Sequence, residues 1–212
     1  MLTKYALFPK YMRRVVDAFE EVVVEPFYED SLQYAIIMRN DSINEHSSHR
    51  HGAVGRDAVE QLDIQFAGVI GENAWRTVHH LPLLRPDTYI PLADRWGRHE
   101  STKLPDISPD IEVRNVSSRD YGVRVRWNDD AACRFACSFW SAGEPTAMVM
   151  GWQWGWNVLR DGEWINPQGR GWMAFLRNLY PPSTIFTPDS STIDPTRDRT
   201  ARMVQAREIR WS

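Results

Sequence analysis

The segment PDISPDIEVR at 105–114 gathers carboxylates and a cation at spacings suited to phosphate chemistry. Read as a strand, its last residues place Glu112 and Arg114 on one face, about 7 Å apart. Asp106 lies just before, on a turn that folds back beside Glu112. Two carboxylates at the ends of adjoining strands suit a hard divalent ion. Mg2+ or Mn2+ held by Asp106 and Glu112 would lower the pKa of a bound water, and Arg114 would steady the extra charge on phosphorus in the transition state. Glu72 is placed to add a third carboxylate from a helix packed on the same sheet, since it follows Gly71 and has Gly68 one turn earlier. Asp110 rivals Asp106, because it too follows a proline. Taken singly, Glu112 and Arg114 also describe a solvent-facing strand pair worth under ~1 kcal/mol, and Glu72 an ordinary solvated helix residue.

Other groups invite weaker readings. Arg119, Arg124 and Arg126 fall close together with Tyr121 and Trp127 between or beside them. Basic and aromatic side chains so interleaved can track a nucleic-acid backbone. The same pattern also describes an exposed hairpin of alternating charge. His46, His49 and His51 suit Zn2+ or Ni2+, but no fourth ligand follows at finger spacing, and a solvated loop is the simpler reading. His79 and His80 sit at a helix end, where a cation favours the helix dipole, and read as capping residues. Cys133 and Cys137 are too few for a disulfide framework and read as buried thiols. Trp152, Trp154, Trp156 and Trp164 crowd together, more in keeping with a wall of core aromatics than with a stacking surface.

These groups need elements to hold them. Met12, Val15, Val16, Phe19, Val22 and Val23 recur at helical spacing between Pro9 and Pro26, so a helix is expected over 9–24. A second is expected over 30–40, with Leu32, Ala35, Ile36 and Arg39 on one side. Residues 41–60 are polar and read as a loop. A third helix begins with Asp63 as N-cap, carries Phe66, Val69, Ile70, Ala74, Val78 and Leu81 as its apolar stripe, and ends at Pro82. Gly68 and Gly71 each cost about 1 kcal/mol there relative to alanine, and close approach to a sheet would justify them. Residues 82–110, with five prolines, form an irregular connection. Beyond it the period becomes two. Strands are expected at 111–115 and 123–126, joined by the turn SSRDYG, then at 133–140 and 146–156. Residues 171–180 read as a short helix or a last strand.

The chain has 212 residues and a formal charge of −3, which excludes a globally basic nucleic-acid coat but leaves room for a local basic groove. Hydrophobic residues at 42% and charged residues at 25% are ordinary globular usage. No apolar run approaches the roughly 20 residues that span a bilayer. The start lacks the apolar core of a signal peptide, so the chain reads as intracellular and without a membrane partner. The expected organisation is a helical extension and polar loop over 1–62, an α/β core over 63–185 and a C-terminal arm over 186–212. The core is expected to hold a mixed, mostly antiparallel central sheet flanked by helices.

The order of these pieces carries a resemblance. A helix with GxxGE (Gly68, Gly71, Glu72), an irregular link, PD at 105–106 and ExR at 112–114 together resemble the PD-(D/E)xK nuclease superfamily. More narrowly, the chain is similar to uncharacterised phage-encoded proteins on that plan. That similarity rests on GVIGENAW ending at Trp75, IEVRNVSSRDYGVRVR at 111–126, GWQWGWNVLRDGEW at 151–164 and QGRGW at 168–172. It covers residues 63–185. It implies a restriction-endonuclease-like core and a Mg2+-dependent nuclease acting on DNA in the host cytoplasm. Glu72, Asp106 and Glu112 would be its acidic site residues, and Arg114 would stand in the lysine position. That last residue departs from the pattern. A lysine can lose its proton and help activate water, whereas an arginine stays charged. The alternative implied is a non-catalytic phage assembly or virion component on the same scaffold, associating with itself or with an assembly partner through the C-terminal arm.

Overall fold

The computed structural model describes residues 19–48, 58–91, 106–107, 110–118, 121–126, 129–165 and 171–186. The β-branched run at 22–24 does not continue a helix. It forms strand β1 (Glu20–Val23), and a single 3-10 turn at Glu25–Phe27, started by Pro26, leads into helix α1 (Tyr28–Ser48). The C-terminal end of the helix expected over 9–24 is therefore a strand, and residues 9–18 lie outside the described residues. Helix α1 runs well past 40. Glu29 and Asp30 in its first turn suit the dipole, and the stretch expected as a loop from 41 continues the helix to Ser48, while residues 49–57 lie outside the described residues.

Helix α2 (Ala58–Val78) starts five residues before Asp63, which sits exposed in its interior and caps nothing. Its end is a Schellman motif. The Leu81 amide donates to Arg76 O (2.8 Å) and the His80 amide to Thr77 O (3.2 Å), while His80 takes the left-handed conformation at φ 55°.

The strands are β2 (Ile111–Val116), β3 (Arg124–Arg126), β4 (Arg134–Phe139), β5 (Thr146–Trp154), β6 (Glu163–Ile165) and β7 (Gly171–Met173), with helix α3 (Gly155–Asp161) between β5 and β6. They make two sheets, ordered β1-β5-β4-β2 and β3-β7-β6. Only the β2–β4 pair is parallel; the other named pairs are antiparallel. Among the described residues this is a mixed α/β fold with three α-helices and a mostly antiparallel central sheet. The hairpin expected between 111–115 and 123–126 does not form. β2 lies beside β4, and β3 leaves for the second sheet. The reason is burial: Ile111, Glu112 and Val113 are all buried, so β2 is covered on both faces. An alternation of apolar and charged residues was a poor guide to a strand whose charges are paired inside.

The central sheet separates two cores. One face carries Ile111, Val113, Ala136, Ala147, Val149, Trp152 and Trp154 against α1 and α2. The other carries Phe135, Cys137 and Met150 against Val123, Val125, Val158, Trp172 and Ala174 of the second sheet and α3. A bulge in β5 lets Ala147 and Val149 share a face with Trp152 and Trp154. The register slips between Cys137 and Ser138, and Gly151 takes φ 129° there, where a Cβ would meet Tyr180 O at 2.6 Å. Residues 155–156, expected to extend this strand, begin α3, with the Gly155 and Trp156 amides turned to Cys133 O and Ala131 O. Residues 171–180 hold β7 and then a 3-10 turn at Leu176–Asn178. Residues 19–48, expected as part of an extension, supply β1 and α1 to the same core, where Val22, Val24, Phe27 and Tyr34 are buried with Ile70 and Trp75. The arm expected from 186 lies outside the described residues beyond Phe186.

Candidate functional site

Two glycines in α2 were expected to bring the helix close to the sheet, and one of them does. A Cβ on Gly71 would stand 2.2 Å from Ser138 Oγ and 3.2 Å from Asn115 Oδ1, whereas one on Gly68 would meet nothing within 4 Å. The next residue, Glu72, is thereby placed on the helical side of the central sheet. Its Oε1 accepts from Arg76 Nε (2.9 Å) and Nη2 (2.7 Å). Arg76 also donates to Pro82 O (3.0 Å) and to the backbone carbonyl of Asp106 (2.7 Å). The guanidinium thus ties helix, exit loop and the approach to β2 together.

Asp106 reaches β2 as expected, but as an edge cap. Its Oδ2 accepts from the Val113 amide at 2.9 Å, while Ile107 and Ile111 exchange both backbone hydrogen bonds just below. A strand edge with unpaired amides is a liability, and a carboxylate is one way to satisfy it. Glu112 points the other way. In β2, Glu112, Arg114 and Val116 share the face turned to the second sheet, with Phe135, Cys137 and Phe139 beside them in β4. Glu112 is 6% exposed. Its Oε2 lies 3.4 Å from Arg114 Nη2, which also binds Asp129 Oδ1 at 3.0 Å. Asp129 Oδ2 in turn accepts from the Arg126 amide at 2.8 Å, and the Arg114 guanidinium sits 5.5 Å from the Phe135 ring centroid. Asp110, the rival to Asp106, pairs with Arg134, which also donates to Ile185 O.

The proposed acidic trio is therefore divided by the sheet: Glu72 on the helical side, Glu112 on the opposite side, Asp106 at the edge between them. Glu72 and Glu112 each face a guanidinium, and Asp106 faces an amide donor. Among the described residues no three His, Cys, Asp or Glu side chains gather as a metal-holding group. The polar groups that sequence reasoning missed are the partners. Arg76 was legible as the residue four after Glu72 on a helix. Asp129 comes from a loop whose approach to β2 depends on tertiary structure, and no local pattern announces it.

The basic stripe is partly visible. Val123 and Val125 are wholly buried, which turns Arg124 and Arg126 to the outer face of the second sheet, and Tyr121 is 47% exposed nearby. Arg119 and Trp127 lie outside the described residues, as do His49 and His51; His46 falls within α1, and its side chain is not described. Cys133 and Cys137 are both buried and neither is in a disulfide, and burial pushes the Cys137 thiol far up.

His79 is not a cationic cap. It stacks on Trp75 (centroids 5.6 Å, planes 16° apart) and meets the edge-on ring of Phe186 at 4.8 Å. Burial, and then the neighbouring His80, hold its imidazole below the ordinary value of 6.5. Its Nε2 is buried without a hydrogen-bond partner among the described residues. Stacking on an indole would favour an imidazolium by about 0.5–1 kcal/mol. A buried, unsatisfied N–H on a charged ring costs more than the ~1–3 kcal/mol of a neutral one, so the neutral form wins.

Comparisons of the chain with protein-family models, with curated proteins and with solved structures gave no match.

Proposed function

We propose that this chain works by binding and not by hydrolysis, as a non-catalytic component of a phage or mobile-element assembly that contacts a nucleic-acid backbone through the outer face of β3. The observation that carries the reading is the separation of Glu72 from Glu112 by the central sheet, each against its own arginine. Carboxylates neutralised in this way fasten layers together. Arg124 and Arg126, with Tyr121 beside them, supply cations and a ring for a phosphate backbone. Reuse of a nuclease scaffold is supported by α2 approaching the sheet at Gly71 and by Asp106 at the edge of the strand that bears Glu112 and Arg114.

One observation favours hydrolysis. Asp106 Oδ2 binds the amide of Val113, the residue next to Glu112, so these two carboxylate-bearing residues are neighbours at one strand edge. A cleavage and binding series decides between the readings. Linear, nicked and single-stranded DNA are incubated with the protein and Mg2+ or Mn2+, then with EDTA, while fluorescence anisotropy follows binding across a salt series. The expected result is intact DNA, with salt-dependent binding whose slope falls by about 2 when Arg124 and Arg126 are both changed to Ala. Metal-dependent cutting that EDTA stops and Glu112→Gln abolishes would establish the hydrolytic reading instead. Binding unaltered by the double change would remove the proposed surface.

A further inference from the structure

Residues 180–186 form a strap across the helical side of the central sheet, and their attachments differ in kind. Tyr180 exchanges backbone hydrogen bonds with Trp152 (2.8 and 3.0 Å), and Thr184 Oγ1 accepts from Trp152 Nε1 at 2.9 Å. Ile185 is wholly buried and its carbonyl accepts from Arg134. These contacts carry no group that titrates near neutral pH. The last attachment does: the Phe186 ring stands against the His79 imidazole, which Trp75 covers from its own helix.

We propose that the His79–Phe186 contact is a pH-sensitive latch, in which protonation of the imidazole undocks Phe186 from the end of α2. The geometry supplies the reason. A neutral ring can leave its buried Nε2 as an unused acceptor at modest cost. The protonated ring carries N–H at both nitrogens, and the buried one then has a charge-bearing donor with no acceptor. In the proposed latch, lifting the Phe186 ring off the imidazole is the step that lets water reach that atom. Phe186 is 41% exposed, so its departure uncovers little, and the rest of the strap stays held by Trp152 and Arg134.

Among the described residues, the charged groups around this end of the helix are few. His80 adjoins His79 on its own element, and Arg76 and Glu72 lie about one and two turns back, paired with each other. From the strap side come Arg134 and Asp110, also paired. The neighbour that shifts the imidazole is His80, and it opposes protonation. Native His79 therefore holds its proton less well than the unfolded chain does. Above pH 6.5 the native state loses nothing by this, and as pH falls below 6.5 native stability declines and the latch loosens.

The test is a proton NMR titration of the full chain that follows the His79 ring protons together with NOEs between His79 and Phe186. The expected result is a His79 midpoint below 6.5, with the NOEs fading through the same transition. In Phe186→Ala the midpoint moves up toward its ordinary value, by one pH unit for each tenfold coupling between docking and protonation. In His79→Gln the Phe186 contacts with position 79 become independent of pH. Circular dichroism confirms that both variants fold. NOEs that persist through the His79 transition, or a midpoint that Phe186→Ala leaves unmoved, would overturn the proposal.

Discussion

The two faces of the central sheet solve different problems with different materials. The helical face is closed by large aromatic groups that keep a polar handle. Trp75 is wholly buried yet donates from Nε1 to Cys137 O at 3.2 Å, and Asn73 bridges Ser31 Oγ (2.8 Å) and Leu84 O (3.2 Å). The opposite face is closed mostly by aliphatic and sulfur side chains, and its buried charge is concentrated at Glu112, Arg114 and Asp129. The first interface is stitched by neutral hydrogen bonds along a helix, with the ion pairs Arg76–Glu72 and Arg134–Asp110 at its margins. The other is pinned by an ion cluster at the end of a strand. A charge placed in such a cluster has few ways to be relieved, so the second face should tolerate less chemical change per atom and the first less loss of volume.

Five substitutions sharpen this contrast. The largest effect belongs to Trp75→Ala, which empties the helical core and removes the indole donor to Cys137 O. A loss of about 3–5 kcal/mol is expected, read from urea unfolding midpoints. Glu112→Ala comes next, at about 2–3 kcal/mol. Asp129 remains to hold Arg114, so the loss should grow when Asp129→Ala is added, and a double-mutant cycle measures the coupling. If the two changes simply add, the cluster is not a unit. The smallest effects come from the glycines of α2, and their signs differ. Gly71→Ala should cost about 1–3 kcal/mol through its collision with Ser138 and Asn115. Gly68→Ala should gain about 0.5–1 kcal/mol, because open space surrounds it and alanine is the better helix former. Thermal melts of the two variants side by side check that prediction.

The glycines also show how far the residues alone could be read. Helical spacing located α2 and gave both glycines the same explanation, because sequence carries period but not which side of a helix faces the sheet. The elements at 111–116, 134–139 and 146–154 were legible for the same reason of period and β-branching. Their partners were not. Parallel pairing of β2 with β4 depends on β3 departing to another sheet, and nothing within SSRDYG announces that. The candidate site fared similarly. Glu72, Asp106, Glu112 and Arg114 were singled out by type and order; Glu112 pairs with Arg114 itself, while Glu72, Asp106 and Arg114 also engage Arg76, the Val113 amide and Asp129. Order along the chain cannot say that a sheet would stand between two of them. His79 was misread because a helix end suggests a dipole partner, whereas Trp75 and Phe186 decide its surroundings from four residues back and from the far end of the fold.

The edge position of β1 has a consequence for how the protein is made. Glu20 finds its partner in Val149, and Val23 in Thr146, so a strand synthesised early waits for one synthesised late. Contacts of such span are slow to form because a long loop must close first. Until β5 has left the ribosome, the β-branched run of β1 has no native strand partner, and the helices α1 and α2 have little sheet to cover. A nascent chain stopped before Thr146 would display those apolar surfaces to whatever holds unfinished proteins.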